Sequence, residues 1–233
     1  MSKVFLQAQW RNLIMANYEI DPEVLKPYLP YGTELDTWQG RHYVSLVGFM
    51  FADTKVLGMK IPGHIRFEEV NLRFYVKRGE KRGVVFIKEI VPRIAITLVA
   101  NTLYKEHYVT RRMNHEWAED QNSLRVRYEW KEKSGWNYMQ VEADAKGIDL
   151  VPGSEEEFIT EHFWGYTRLA ERRTGEYEVA HPAWEIHPVR DFKLNLDISA
   201  VYGEEFAPSL SQPPKSVFLA KGSEIKVFQG EGI

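Results

Sequence analysis

Residues 67–76, FEEVNLRFYV, alternate strictly between two kinds of side chain. Val70, Leu72, Phe74 and Val76 form one set, and Glu69, Asn71, Arg73 and Tyr75 the other. Successive side chains leave a β-strand on opposite faces, so the segment predicts a strand with one apolar and one polar face. The turn-forming run KRGEKRG leads on to VVFIKEIV, which is apolar on both faces until Lys88-Glu89. A hairpin partner buried on both sides implies that the second face of the sheet is covered too. The polar set then points either to solvent, as on a half-buried sheet, or into an enclosed space. In the enclosed case a carboxylate such as Glu69 must be paired or shift its pKa.

Strand signals dominate the rest of the chain. Residues 10–20 read as a strand buried on both faces, and Asp21-Pro22 then caps a short helix. A hairpin is expected around Gln39-Gly40, another around Lys133-Ser134-Gly135 and a third around Thr174-Gly175. In RIAITLVANTLYK, residues Ile94, Ala95, Leu98, Val99 and Leu103 fall on one helical stripe. Ser154 and Glu157 have capping-box spacing at the start of a second helix. SVFLA and EIKVF close the chain as short strands. The pattern predicts an α+β domain, mainly antiparallel β, closed or nearly closed into a barrel. No repeat or long polar linker divides the 233 residues, so one domain over 1–233 is expected.

Composition narrows the function. The absence of Cys excludes disulfides and thiolate catalysis. A net charge of −3 gives no reason to expect a nucleic-acid partner. No apolar run reaches the roughly 18 residues of a membrane helix, so no membrane partner and a cytoplasmic location are expected. Walker A, GxGxxG, HExxH and GxSxG motifs are all missing, and neither a metal nor a cofactor is expected. His181 and His187 lie about 20 Å apart along an extended chain, too far to share an ion. Arg111-Arg112 reads as a solvated strand edge. His162 is expected to pack at the end of the second helix and bond to backbone. Trp184, in HPAW, is either core or a cavity wall.

Beyond these local readings, residues 10–51, FEEVNLRFYV, EHFWGYTRL and VAHPAWEIHPV resemble the YqjF-like family of bacterial proteins. The most specific part is F-x-E-x-N-x-R-x-Y-V, complete here in Phe67, Glu69, Asn71, Arg73, Tyr75 and Val76. That family is similar to the acetoacetate decarboxylase-like superfamily. The resemblance implies a closed, cone-like antiparallel barrel with a deep internal cavity, and assembly into a homo-oligomer of unspecified size. Carried over position by position, the decarboxylase Arg falls on Arg11 and the Glu on Glu69. The Pro-Lys-Lys motif, whose lysine forms the Schiff base, falls on His107, Tyr108 and Val109. Both lysines are missing, and Lys88 or Lys105 would have to reach the cavity to replace them. Without a desolvated amine no ketimine forms, so Schiff-base decarboxylation is not expected.

The expected site therefore comprises Glu69 and Arg11 as the chemical pair, with Asn71, Arg73, Tyr75, Tyr108 and Trp184 around a ligand. Three uses fit it: binding of a small molecule, general acid–base catalysis on a carboxylated or carbonyl substrate, or a purely structural network.

Overall fold

Both faces of residues 67–76 are covered. In the computed structural model, which describes residues 3–103 and 105–233, the chain forms a mostly antiparallel sheet with a few short helices. The side chain of Leu103, and with it that part of the expected helical stripe, lies outside the described residues. So do Met1, Ser2 and Tyr104. The strands are β1 (Val4–Glu19), β2 (Glu34–Leu35), β3 (Tyr43–Val56), β4 (Phe67–Arg78), β5 (Lys81–Val91), β6 (Tyr108–Thr110), β7 (Met113–Glu119) and β8 (Ser123–Glu132). They continue with β9 (Gly135–Asp144), β10 (Trp164–Ala170), β11 (Arg173–Ala180), β12 (Ile186–Asn195), β13 (Ser216–Ala220), β14 (Glu224–Phe228) and β15 (Glu231–Gly232). The helices are α1 (Pro22–Leu25), α2 (Ile94–Leu103), α3 (Glu155–Thr160), α4 (Ile198–Val201) and α5 (Ala207–Leu210). Among the described residues no helix is long and apolar enough to cross a membrane.

The spatial order is β14-β11-β10-β5-β4-β3-β1-β13-β12-β9-β8-β7, and β14 also pairs with β1. β5 runs parallel to β10 and β6, while the other pairings are antiparallel. β4 lies between two apolar clusters. Val70, Leu72, Phe74 and Val76 pack with Leu46, Tyr128, Trp130, Met139 and Phe206. On the other side Val47, Phe49, Phe51, Phe67, Phe158 and Trp184 belong to a second cluster. Burial of both faces of one strand is what an antiparallel sheet with a single dry face would not give.

Local signals explain the helix starts. Asp21 accepts from the Glu23 amide at 2.9 Å, and Ser154 Oγ accepts from the Glu157 amide at 3.2 Å. Three sequence expectations need correction. Gln39 and Gly40 do form a turn with positive φ, bridging Trp38 and Arg41, but β2 pairs with β4 instead of β3. Both edges of β3 are already taken, by β1 and β4. The β10–β11 turn falls at Glu171-Arg172, and Gly175 sits inside β11 opposite Thr167. A Cβ there would lie 2.9 Å from Thr167 Cγ2, so this glycine serves close cross-strand packing instead of a turn. The apolar residues of α2 also divide: Ile94 and Leu98 face solvent, while Ala95, Ile96, Val99 and Ala100 look into a cavity. The helix covers an opening rather than a solid core, so no single stripe describes it.

The parallel junction of β5 and β10 depends on Gly83. A Cβ at Gly83 would meet the Trp164 carbonyl oxygen at 2.5 Å and the Tyr166 ring at 2.6 Å. Backbone cannot step aside as a flexible side chain can. Gly83→Ala is therefore expected to cost about 1–3 kcal/mol, which at about 2–4 °C per kcal/mol lowers Tm by roughly 2–12 °C. An unchanged Tm in a thermal melt would contradict this close approach.

Candidate functional site

The polar face of β4 borders a cavity of about 260 Å³. Trp10, Phe49, Phe51, Phe67, Phe86 and Trp184 supply aromatic wall, and Ile61, His64 and Val99 border its mouth. Glu69, Asn71 and Arg73 all line it, placed there by strand alternation. Register then adds neighbours. Asn71 pairs directly with Glu89 on β5, and Glu89 pairs with Tyr108 on β6. Residues opposite one another across such pairs share a face, so Glu89 and Tyr108 join the same lining. Glu106 enters from the segment leading to β6, and Tyr177 from β11. Gly165, opposite Tyr177, makes room for that ring: a Cβ would lie 2.1 Å from Tyr177 Cζ.

The result is a cluster of three buried carboxyls and two phenols. Glu69 and Glu89 are each 2% exposed. Asn71 Nδ2 donates to Glu69 Oε1 at 2.9 Å, and the Tyr108 hydroxyl donates to Glu69 Oε2 at 3.3 Å. The Tyr177 hydroxyl donates to Glu106 Oε1 at 3.2 Å. Glu89 Oε2 and Asn71 Oδ1 are buried without a hydrogen-bond partner. Burial pushes the Glu69 carboxyl up to about 7, against the opposing pull of the Asn71 and Tyr108 hydrogen bonds and the Arg73 charge. Burial, with Glu69 nearby, outweighs the Tyr177 hydrogen bond and takes Glu106 to about 8. Glu89 rises well above the usual range through burial and then the charges of Glu106 and Glu69. Three carboxyls this close titrate as a set, and at neutral pH they hold protons among them.

The far end of the polar row is different. Arg73 Nη2 donates to the Ile159 carbonyl at 3.2 Å, while its Nε is buried and unpartnered. His162 lines the cavity beside it. The expected backbone bond of His162 is replaced by one to a side chain: Nε2 donates to Asp36 Oδ2 at 3.1 Å, and Arg82 Nε donates to the same oxygen at 2.7 Å. Burial alone would raise Asp36, but the bonds from His162 and Arg82 prevail and bring it to about 2. Burial drives His162 down to about 4, so its ring is neutral.

Two expected site residues stand elsewhere. Arg11 is not among the residues lining the cavity. Its neighbour Trp10 takes the inner face, and Arg11 donates instead to Gln9 Oε1 at 2.8 and 3.1 Å, beside an irregular stretch of β1 with Asn12 at φ 52°. Tyr75 continues the polar row, but its hydroxyl bonds Ser45 Oγ at 2.6 Å and Ser45 bonds Asn17 Oδ1 at 2.6 Å, a buried chain outside the lining. Tyr108 and Trp184 do line the cavity, Trp184 stacked on His181 with ring centroids 4.2 Å apart. Neither candidate lysine does. Lys88 turns to the opposite face of β5 and bonds the Val201 carbonyl, and Lys105 is exposed. Glu89, Glu106 and Tyr177 were not anticipated. Glu89 had a signal, since it interrupts an apolar strand; Glu106 and Tyr177 had none.

The carboxyl set fixes the sign of a pH effect. Carboxyls whose folded pKa is raised above the unfolded value stabilise the fold below the unfolded pKa, and that contribution is lost as pH rises through the folded values. Asp36, held low, acts oppositely and loses its contribution as pH falls toward about 2. Tm is therefore expected to decline from about pH 4.5, where unfolded glutamates ionise, to about pH 8, the window closed by Glu69 at about 7 and Glu106 at about 8. Glu89→Gln should raise Tm at the alkaline end and flatten the decline. A flat or rising wild-type profile, or a lower alkaline Tm for the variant, would contradict the assignment.

Comparison with known proteins agrees with this architecture. The chain is 29% identical over 112 residues to the uncharacterised protein YqjF of Bacillus subtilis (strain 168). That match spans 48% of this chain and only 46%, about half, of the relative. Among solved structures, the enduracididine biosynthesis enzyme MppR with bound HEPES superposes with a TM-score of 0.71 at 12% identity, over 100% of this chain and 89% of that one. Acetoacetate decarboxylase from Legionella pneumophila gives a TM-score of 0.66 at 13% identity, over 99% and 88% of the two chains. An acetoacetate decarboxylase-like enzyme from Sphingomonas wittichii RW1 gives 0.68 at 10%, over 98% and 92%. These likenesses show an acetoacetate decarboxylase-like fold, and at such identities they show the fold alone. The DUF2071 family model, described as an uncharacterised conserved protein, matches residues 7–224, and the chain belongs to that family.

Proposed function

We propose that the protein binds a small, mainly apolar organic molecule, held without a covalent bond by the polar row of β4. The observation that carries this reading is the cavity itself: aromatic walls, a buried cluster of Glu69, Glu89 and Glu106, and no lysine among the described residues that line it. Pockets of this make-up, apolar with a few converging polar groups, are the usual form of small-molecule sites. We read the succession of pairings β1-β3-β4-β5-β10-β11-β14-β1 as the closed barrel that encloses it. A cytoplasmic location belongs to the same proposal.

The two positions that the resemblance assigns to the lysine pair carry Tyr108 and Val109; Tyr108 supplies a hydroxyl to Glu69, and neither offers a nucleophilic amine. Incubation with acetoacetate or pyruvate and a reducing borohydride is thus expected to leave the protein mass unchanged. A reduced adduct mapped to any lysine would overturn the non-covalent reading. The binding itself is tested by thermal shift with a panel of compounds of matched size. Ligand at about one hundred times Kd adds about 2.7 kcal/mol, and a chain of this length gains about 5–10 °C from it. Val84→Trp, which fills the lining, should abolish that gain. A panel in which no compound raises Tm would contradict the proposal.

One observation favours a second reading, acid–base catalysis. Glu69 is held between Asn71 and Tyr108 with its carboxyl near neutrality, which suits a group that both takes and gives a proton. Exchange of solvent deuterium into the α-carbon of a bound ketone, followed by mass spectrometry, measures this. Glu69→Gln is expected to slow exchange by about 10²–10⁴-fold while the protein stays folded. Equal exchange rates would remove Glu69 from that role.

A further inference from the structure

Asn71 and Glu89 stand directly opposite one another on β4 and β5, each 2% exposed and each lining the cavity. The Asn71 amide nitrogen is committed to Glu69 Oε1, which leaves Oδ1 as an acceptor, and that oxygen has no partner. Glu89 Oε2 beside it has none either. Asn71 Oδ1 can only accept, and Glu89 Oε2 accepts once its carboxyl ionises, so two buried oxygens on facing strands border one hollow without partners where buried polar groups are almost always satisfied.

The charges around them decide which donor. Glu69 and Arg73 face the cavity from β4, Glu89 from β5, Glu106 and Tyr108 from β6 and the segment before it, and Tyr177 from β11. His162, His181 and His64 complete the titratable lining. The cation of this set, Arg73, sits four residues along the strand from Glu69 and is bonded to the Ile159 carbonyl in α3. Among the described residues, the end holding the three carboxyls has no cation of its own. Aromatic faces border that same end: Phe49 is the register partner of Glu69, and Phe67 stacks on Phe51 with centroids 4.6 Å apart. Such faces attract a cation and repel an anion.

We propose that the polar end of the ligand is an organic ammonium or amidinium group on an apolar body, seated among Glu69, Asn71 and Glu89. This rests on the binding reading above and names its ligand class. A neutral N–H donor would satisfy Asn71 Oδ1 yet leave the carboxyls protonated. A cation lets one of them ionise, and the displaced proton leaves to solvent. Uptake is therefore coupled to proton release and strengthens as pH rises.

The test uses three probes with one phenyl body: 2-phenylethylammonium, 2-phenylethanol and 3-phenylpropanoate, titrated calorimetrically into the full chain. The ammonium is expected to bind about tenfold or more tightly than the alcohol, and the carboxylate weakest, as charge-assisted bonds and cation–π contact imply. Its affinity should rise about fivefold or more from pH 6 to pH 8, and its heat should vary with buffer ionisation enthalpy, the signature of proton release. Glu89→Gln should weaken the ammonium about tenfold and the alcohol by far less, so that the preference for the ammonium collapses. The pH and buffer series needs no variant. Alcohol or carboxylate binding as well as the ammonium would overturn the ligand class while leaving the binding reading intact. Ammonium binding without pH dependence would overturn the proton coupling and the seat among the carboxyls. Failure of all three, with other compounds on the wider panel still raising Tm, would also overturn the class alone; failure of the whole panel would remove both.

Discussion

Burial of both faces of β4 is the constraint from which the rest follows. One face is apolar and packs as any core strand does. The other carries Glu69, Asn71 and Arg73 into a space that bulk water does not fill freely, and polar groups there must find partners or give up charge. The register of β3, β5 and β6 brings Phe49, Glu89 and Tyr108 to that row, one from each neighbouring strand position. A solvated sheet face would carry the same alternation with no consequence. Here each added carboxyl raises the cost of ionising the others, and the cluster holds protons near neutral pH as a result.

Such an arrangement opposes stability more than it serves it. Replacing buried ionisable groups by apolar ones of similar size is often neutral or favourable. This fold nonetheless retains three carboxyls, two phenols and the unpartnered oxygens of Asn71 and Glu89 at the end of an aromatic hollow. Sites for ligands and proton transfer are built that way, because the partner that completes the network arrives with the ligand. Other buried polar groups find partners within the fold: His162 and Arg82 both donate to Asp36, and Tyr75, Ser45, Asn17 and Ser216 form an unbroken hydrogen-bonded chain.

What the sequence revealed follows the range of the interactions involved. The period-two pattern of β4 is local, and alternation alone is enough to put Glu69, Asn71 and Arg73 on one face. The helix caps at Asp21 and Ser154 are equally local. Pairing is not: β2 joins β4 because β3 has no free edge, and a glycine in β11 resembled a turn because its close contact with Thr167 lies on another strand. Glu106 occupies an irregular segment with no periodicity to read, and Tyr177 depends on the missing side chain of Gly165 across the ladder. Arg11 was drawn in by resemblance, whereas alternation beside Trp10 turns it away.

The protonated cluster is the claim on which the functional reading stands. Carbon-13 titration of the glutamate side-chain carboxyls, followed by NMR from acid to alkaline pH, observes it directly. At least two carboxyls titrating above about pH 6, and disappearing in turn in Glu69→Gln and Glu106→Gln, is the result this account expects. If every glutamate titrates within the ordinary range, about 4 to 5, the polar row of β4 faces water and the account is wrong.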